Sequence, residues 1–164
     1  MIYRLRIILD SEEDVVRDLE IKSDSSFEDL HFAIVNSFNF NGNEMASFYL
    51  SDDNWSQGEE ITLESFGDEK VMKFTSLNSI IKDSQLNFIY VYDFLKLWTF
   101  FVEVVEICEE NKSFIYPQTI FSIGKIPKSA PDKVFVEDKT ESDDSDGYDE
   151  EDLYNYYYLT LNIS

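Results

Sequence analysis

The chain has 164 residues, 43% of them apolar and 16% aromatic, which is enough for one ordinary core and unlike a disordered composition. Thirty-four Asp and Glu against thirteen Lys and Arg leave a net charge of −21. That field repels nucleic-acid phosphates and anionic membranes, and it favours solubility and basic partners.

The opening stretch "MIYRLRIILDSEEDVV" has an apolar run too short for a signal peptide, and acids follow it. Residues 2–9 alternate, with Tyr3, Leu5, Ile7 and Leu9 on one face and Arg4 and Arg6 on the other. Residues 15–21 repeat the pattern, with Val15, Leu19 and Ile21 opposite Asp18 and Glu20. The alternation predicts an antiparallel hairpin turning at "DSEED", with arginines of one strand facing acids of the next.

The period then changes. Leu30, Ile34 and Phe38 recur at helical spacing, flanked by Phe27 and Val35. Ser25 with Glu28 reads as a capping box, and "NFNG" as the stop, with Gly42 free to turn left-handed. A helix is expected over about 26–38. "ASFYLSDDNW" reads as a short strand and a turn, and "EITL" and "KVMKF" are short apolar pieces. "SLNSIIKD" suggests a short helix capped by Ser76, with Leu77, Ile80 and Ile81 inward.

Two longer strands follow, over 85–93 and 97–107. The first is apolar on both faces (Leu86, Phe88, Tyr90 and Tyr92 on one, Ile89 and Val91 on the other), the signature of a central strand covered on both sides. The second is the most apolar window of the chain, but it carries Glu103 and Glu106 and is too short to span a bilayer. A last strand is expected at 118–123, ended by Gly124 and Pro127.

From Val136 the composition shifts. Residues 136–152 hold ten acids and one lysine and lack apolar periodicity, so a disordered, self-repelling segment is expected. Residues 153–164 are uncharged and contain four tyrosines, a candidate edge strand or sticky motif. The expected class is α+β: a mostly antiparallel mixed sheet with one main helix, a β-β-α-β start and then a long aromatic hairpin, in one domain over 1–135.

The stretch "FIYVYDFLKLWTFFVEV" resembles the central motif of the plasmid pRiA4b ORF-3-like family, whose members are also described as insertion-element passenger proteins. Tyr90, Tyr92, Asp93, Phe94 and Trp98 match that motif, and Tyr116-Pro117 matches a later element. Residues 21–63 are similar to the version found in Bacteroidetes-type bacteria. The likeness covers most of residues 1–127 and implies a bacterial cytoplasmic protein of no assigned activity. Where the family has Gly, a second Asp and His, this chain has Leu95, Lys96 and Phe100. Leu in a turn that needs positive φ is strained, so the hairpin end is expected to differ from the family's.

Candidate chemistry is sparse. Asp93 among aromatics is a candidate acid or base, but the positions where the family motif has partners for it hold Lys96 and Phe100. The plainer reading is a turn residue that caps backbone N–H groups or pairs with Lys96. His31, the single histidine, lies on the helix beside the Leu30/Ile34 stripe and reads as a boundary residue of its apolar face, since zinc needs several His or Cys ligands and no G-x-S-x-G elbow occurs. The single cysteine, Cys108, excludes an intrachain disulfide, fits a reducing cytoplasm, and lies among Glu106, Glu109 and Glu110, which disfavour its thiolate. "SDDSDGYDEEDL" has the Gly of a calcium loop, but Ser142 and Leu153 stand where Asp and Glu are required. With five glycines and no G-x-x-x-x-G-K, there is no phosphate cradle. The aromatic hairpin could stack bases, but a cationic groove is missing beside it.

The expected protein is therefore non-catalytic, without cofactor or metal. It should bind a basic protein partner and neither nucleic acid nor membrane. Candidate contact residues are the motif positions Tyr90, Tyr92, Asp93, Phe94, Trp98, Tyr116 and Pro117, with the acids Asp143, Asp144, Asp146, Asp149, Glu150, Glu151 and Asp152. The alternative is an acidic antagonist that mimics nucleic-acid charge toward a DNA-binding protein linked to a mobile element.

Overall fold

Alternation at the N-terminus produces the predicted hairpin. In a computed structural model that describes residues 1–131, β1 (Ile2–Leu9) pairs antiparallel with β2 (Val16–Lys22). Arg4 faces Glu20 and Arg6 faces Asp18 in register, and both pairs form ion pairs. The Arg6 fork donates to both Asp18 oxygens, at 2.9 and 3.0 Å. The readings made for 136–152 and 153–164, and the domain end at 135, lie outside the described residues.

The chain then crosses the sheet as α1 (Phe27–Ser37). Its capping box is one residue later than the sequence suggests. The Asp29 amide donates to Ser26 Oγ and the Ser26 amide donates to the Asp29 carboxylate. Ser25 and Glu28 offer the same spacing, so local pattern alone leaves the frame open. The stripe Phe27, Leu30, Ile34, Val35 and Phe38 is buried as predicted. Gly42 is left-handed as expected, with φ 80°, and Asn39, nearer the helix end, is left-handed as well, with φ 61°.

The rest of the sheet follows as β3 (Ala46–Leu50), β4 (Glu60–Thr62), β5 (Lys70–Val71), β6 (Asn87–Tyr92), β7 (Trp98–Cys108) and β8 (Gln118–Ile123). A 3₁₀ turn at Met72–Phe74 and the short helix α2 (Leu77–Ile80) lie between β5 and β6. Ser76 stands at the N-cap of α2 but makes no side-chain cap bond to it. The strand order is β5-β4-β3-β6-β7-β1-β2-β8. Every pairing is antiparallel except β4 with β5, so the expected α+β mixed sheet with one main helix is what forms.

Pleating sends alternate residues to opposite faces. The α1 face collects Leu5, Ile7, Leu19, Phe48, Phe88, Tyr90, Phe100 and Val102 into one core. The other face carries the Arg–acid ladder of β1 and β2, with Ile8, Val16, Ile89, Val91 and Phe101 also buried. Trp55, from the β3–β4 loop, sets its ring edge-on to Phe101 at 5.1 Å. β6 is thus the doubly buried central strand its sequence predicts. Among the described residues no helix is long and apolar enough to cross a membrane.

Arg17 is the exception on the core face of β2. Its guanidinium lies over the Phe38 ring and donates to the carbonyls of Ser37, Val16 and Ile123. One buried side chain therefore satisfies a carbonyl at the C-terminus of α1 and ties down the end of β8. Burial lowers its pKa, and the three carbonyls stabilise the charge that remains.

Candidate functional site

The motif residues separate into a sealed body and an open turn. Tyr90, Tyr92 and Trp98 project from β6 and β7 into the core beneath α1. Phe40 packs against Tyr92 at 4.6 Å and Trp98 at 5.2 Å, and the Tyr92 hydroxyl bridges the Gly42 amide and the Asn41 side chain. These aromatics fix the loop that follows α1 onto the hairpin.

Deeper in the same body lies His31, which the sequence reading sets beside the apolar stripe of the helix, at the boundary of its buried face. That reading is corrected: His31 is fully buried, with its Nδ1 2.6 Å from the Tyr90 hydroxyl. Its Nε2 is buried with no hydrogen-bond partner among the described residues. Burial lowers the imidazole pKa to about 4 and raises the Tyr90 phenol well above its ordinary value. Desolvation disfavours either charged form, so near neutral pH the pair is two neutral groups sharing one hydrogen bond. A signal for this was present. His31 stands four residues after Phe27 and four before Val35, inside the apolar stripe and not beside it.

Asp93 ends β6 and is the pivot of the turn. Its backbone is left-handed, φ 64°, and so is that of Leu97, φ 56°. The positive φ thus falls on either side of Leu95 and not on it, which is how a hairpin without the family's glycine closes. Asp93 Oδ1 accepts from the amides of Leu95 and Lys96, and the Leu97 amide donates back to the Asp93 carbonyl at 2.6 Å. Of the two roles expected for its carboxylate, capping backbone N–H groups is the one observed. Asp tolerates this conformation because its short side chain bonds locally.

Beyond that pivot the chain emerges into solvent. Leu95 is 94% exposed, and Phe94 and Leu97 are 41% and 44% exposed. Three apolar side chains therefore stand on a turn pinned at its base by a buried carboxylate. The β1–β2 turn runs beside it, joined where the Asp10 amide donates to the Thr99 carbonyl. That neighbour carries Glu12, Glu13 and Asp14.

Tyr116-Pro117 lies at the other end of β7, in the loop before β8, apart from the Asp93 turn. The Tyr116 hydroxyl accepts from the Asn111 amide. Cys108 closes β7, and burial first, then Glu106 and Glu20, push its thiol pKa up against the opposing pull of Arg4. Among the described residues no three His, Cys, Asp or Glu side chains converge as metal ligands. The acids Asp143 to Asp152 lie outside the described residues.

A family model described as plasmid pRiA4b ORF-3-like protein matches residues 1–131. A solved protein of unknown function from Methanosarcina mazei Go1 superposes with a TM-score of 0.63 at 20% identity, over 74% of this chain and 68% of that one. That likeness is one of fold. No curated protein matches the chain.

Proposed function

This chain belongs to the plasmid pRiA4b ORF-3-like family, and from that premise we propose that it is a non-catalytic protein-interaction module. The observation that carries the reading is the apolar turn Phe94-Leu95-Lys96-Leu97, exposed on a buried and hydrogen-bonded base. Exposed apolar groups on a preorganised turn lose little conformational freedom on binding, which is what a contact point requires. Asp93 tolerates its positive φ, but Leu97 at positive φ is a stored cost of about 1–3 kcal/mol, and such strain concentrates where a loop must hold one shape. Asp93 and His31, the groups best suited to acid–base work, are both engaged in holding the hairpin. The neighbouring acidic turn and the net charge of −21 favour a basic partner in the bacterial cytoplasm.

The test is a photo-crosslinking residue at Leu95, with the same residue at Phe66, exposed in the loop between β4 and β5, as control. A discrete adduct in bacterial lysate at position 95, absent at 66 and lost when Leu97→Asp is added, is the expected result. Equal labelling at both positions, or none at 95, overturns the reading.

The charge itself supports a second reading, an acidic antagonist that occupies a basic DNA-binding protein of a mobile element. Removal of residues 136–164, which hold the densest acids, should then abolish binding to basic proteins, and unchanged binding would remove its basis.

A further inference from the structure

The sheet of the described residues has two edges, and they are built differently. At one, β5 is two residues long, and Asp68, Glu69, Lys70 and Lys73 line it. Short length and charge are the usual means by which an edge is kept from pairing. At the other, β8 is six residues long, and the whole stretch from Ser113 to Gly124 carries no charge, in a chain where 29% of residues are charged. Ile120 and Phe121 on β8 are 41% and 43% exposed, and Phe114 and Ile115 in the preceding loop are exposed as well.

β8 is also held firmly. It pairs with β2 from Gln118 to Ile123, the Gln118 amide group donates to Glu20 at 2.9 Å, and Arg17 grips the Ile123 carbonyl at 2.8 Å. Gly124, with φ 72°, lets the chain leave against the Asp14 carbonyl, where any Cβ would fall 2.2 Å from that oxygen. Among the described residues, β2 is the only strand that pairs with β8. The register shifts between Asp18 and Leu19, so Ile120 is the extra residue of a bulge. A bulge bends the strand and leaves its extra residue without a place in the ladder, here beside Phe121.

We propose that this edge is a self-association surface, on which a second copy of the chain seats its own β8 antiparallel through Ile120 and Phe121. Two observations select a second copy as occupant. The order Thr119-Ile120-Phe121-Ser122 is symmetric, so an antiparallel copy sets apolar against apolar and hydroxyl against hydroxyl, as a two-fold interface demands. The patch is also neutral on a chain of −21, so a basic partner gains no ion pair there, whereas two copies bring no charges together at the seam. The inference is independent of the partner surface at Leu95, and its salt dependence is opposite in sign. Screening weakens attraction to a basic partner, but it relieves repulsion between two acidic copies.

The test is sedimentation equilibrium of the full chain at low and high salt. A dimer that strengthens with salt is expected, with Phe121→Lys and Ile120→Lys giving monomers of unchanged circular dichroism and Val71→Lys on the other edge leaving the dimer intact. A photo-crosslinking residue at Ile120 should give a species of twice the monomer mass. A monomer at every concentration and salt, or a dimer indifferent to both lysine substitutions, overturns the proposal.

Discussion

In the body of the β6–β7 hairpin, Phe88, Tyr90, Phe100 and Val102 are sealed under α1, whereas the turn of the same hairpin leaves Leu95 almost wholly in water. Both regions are rich in large apolar side chains, so composition does not separate them. What separates them is what lies opposite. Body residues alternate on strands that have neighbours on both sides and a helix above. Residues 94–97 follow a carboxylate that turns the chain out of the sheet. An aromatic cluster in a sequence is therefore read as core or as contact only once its backing is known.

The comparison predicts a steep gradient of effects from body to turn. Phe100→Ala empties a site packed by Phe38 at 4.7 Å, Phe40 and Tyr90, and should cost about 3–5 kcal/mol in denaturant unfolding. A loss below about 1 kcal/mol would break the comparison, because the body would then not be core.

A second effect of the body is pH dependence through His31. Its folded pKa of about 4 lies below the ordinary 6.5, so the unfolded chain binds the proton more tightly. Its contribution is complete above pH 6.5 and is lost as pH falls toward 4, by about 3 kcal/mol in all. Unfolding measured across that window should show this slope, and His31→Leu should remove that part of it. A slope equally steep in the variant would assign it to other groups.

The turn should respond more mildly and in a different observable. Asp93→Ala removes the acceptor for two amides and leaves a positive φ without local support, at a cost of about 1–2 kcal/mol. Asp93→Asn keeps an acceptor and should lose less than half of that. Hydrogen exchange at Leu95 and Lys96 is the direct check, and protection unchanged in Asp93→Ala would remove the carboxylate from its role. Smallest of all, Leu97→Asp should alter stability by less than about 0.5 kcal/mol, since Leu97 is half in water, while abolishing the adduct formed from position 95, the clearest separation of turn from body.

Much of this was legible in the residues. Strict alternation in 2–9 and 16–22 carries the hairpin and its Arg–acid pairing, because a period of two leaves one register that buries Leu5, Ile7, Leu19 and Ile21 together. The doubly apolar run of 87–92 carries its central place in the sheet, and 118–123 falls where predicted. The capping frame was not legible, since Ser25-Glu28 and Ser26-Asp29 are locally equivalent. Only the bond from the Phe27 amide to the Thr75 carbonyl and the bridge of Ser26 to Ser76 choose between them. His31 was missed because its type was weighed above its position in the stripe. Arg17 was missed because a charged residue in a core-facing place has meaning only when three carbonyls converge on it.

By itself the sequence determined the longer strands and the main helix, which of their faces are apolar, and that Asp93 sits in a turn, because these follow from local periodicity and side-chain chemistry, whereas β4 and β5 read only as short apolar pieces. Tertiary structure alone decided that the positive φ values fall on Asp93 and Leu97, that His31 finds Tyr90 fifty-nine positions away, and that among the described residues β8 rather than β2 stands at the edge. Each of those depends on which distant residue supplies a hydrogen-bond partner or an apolar neighbour. Sheet order settles that through long-range packing, and no local window of the chain contains it.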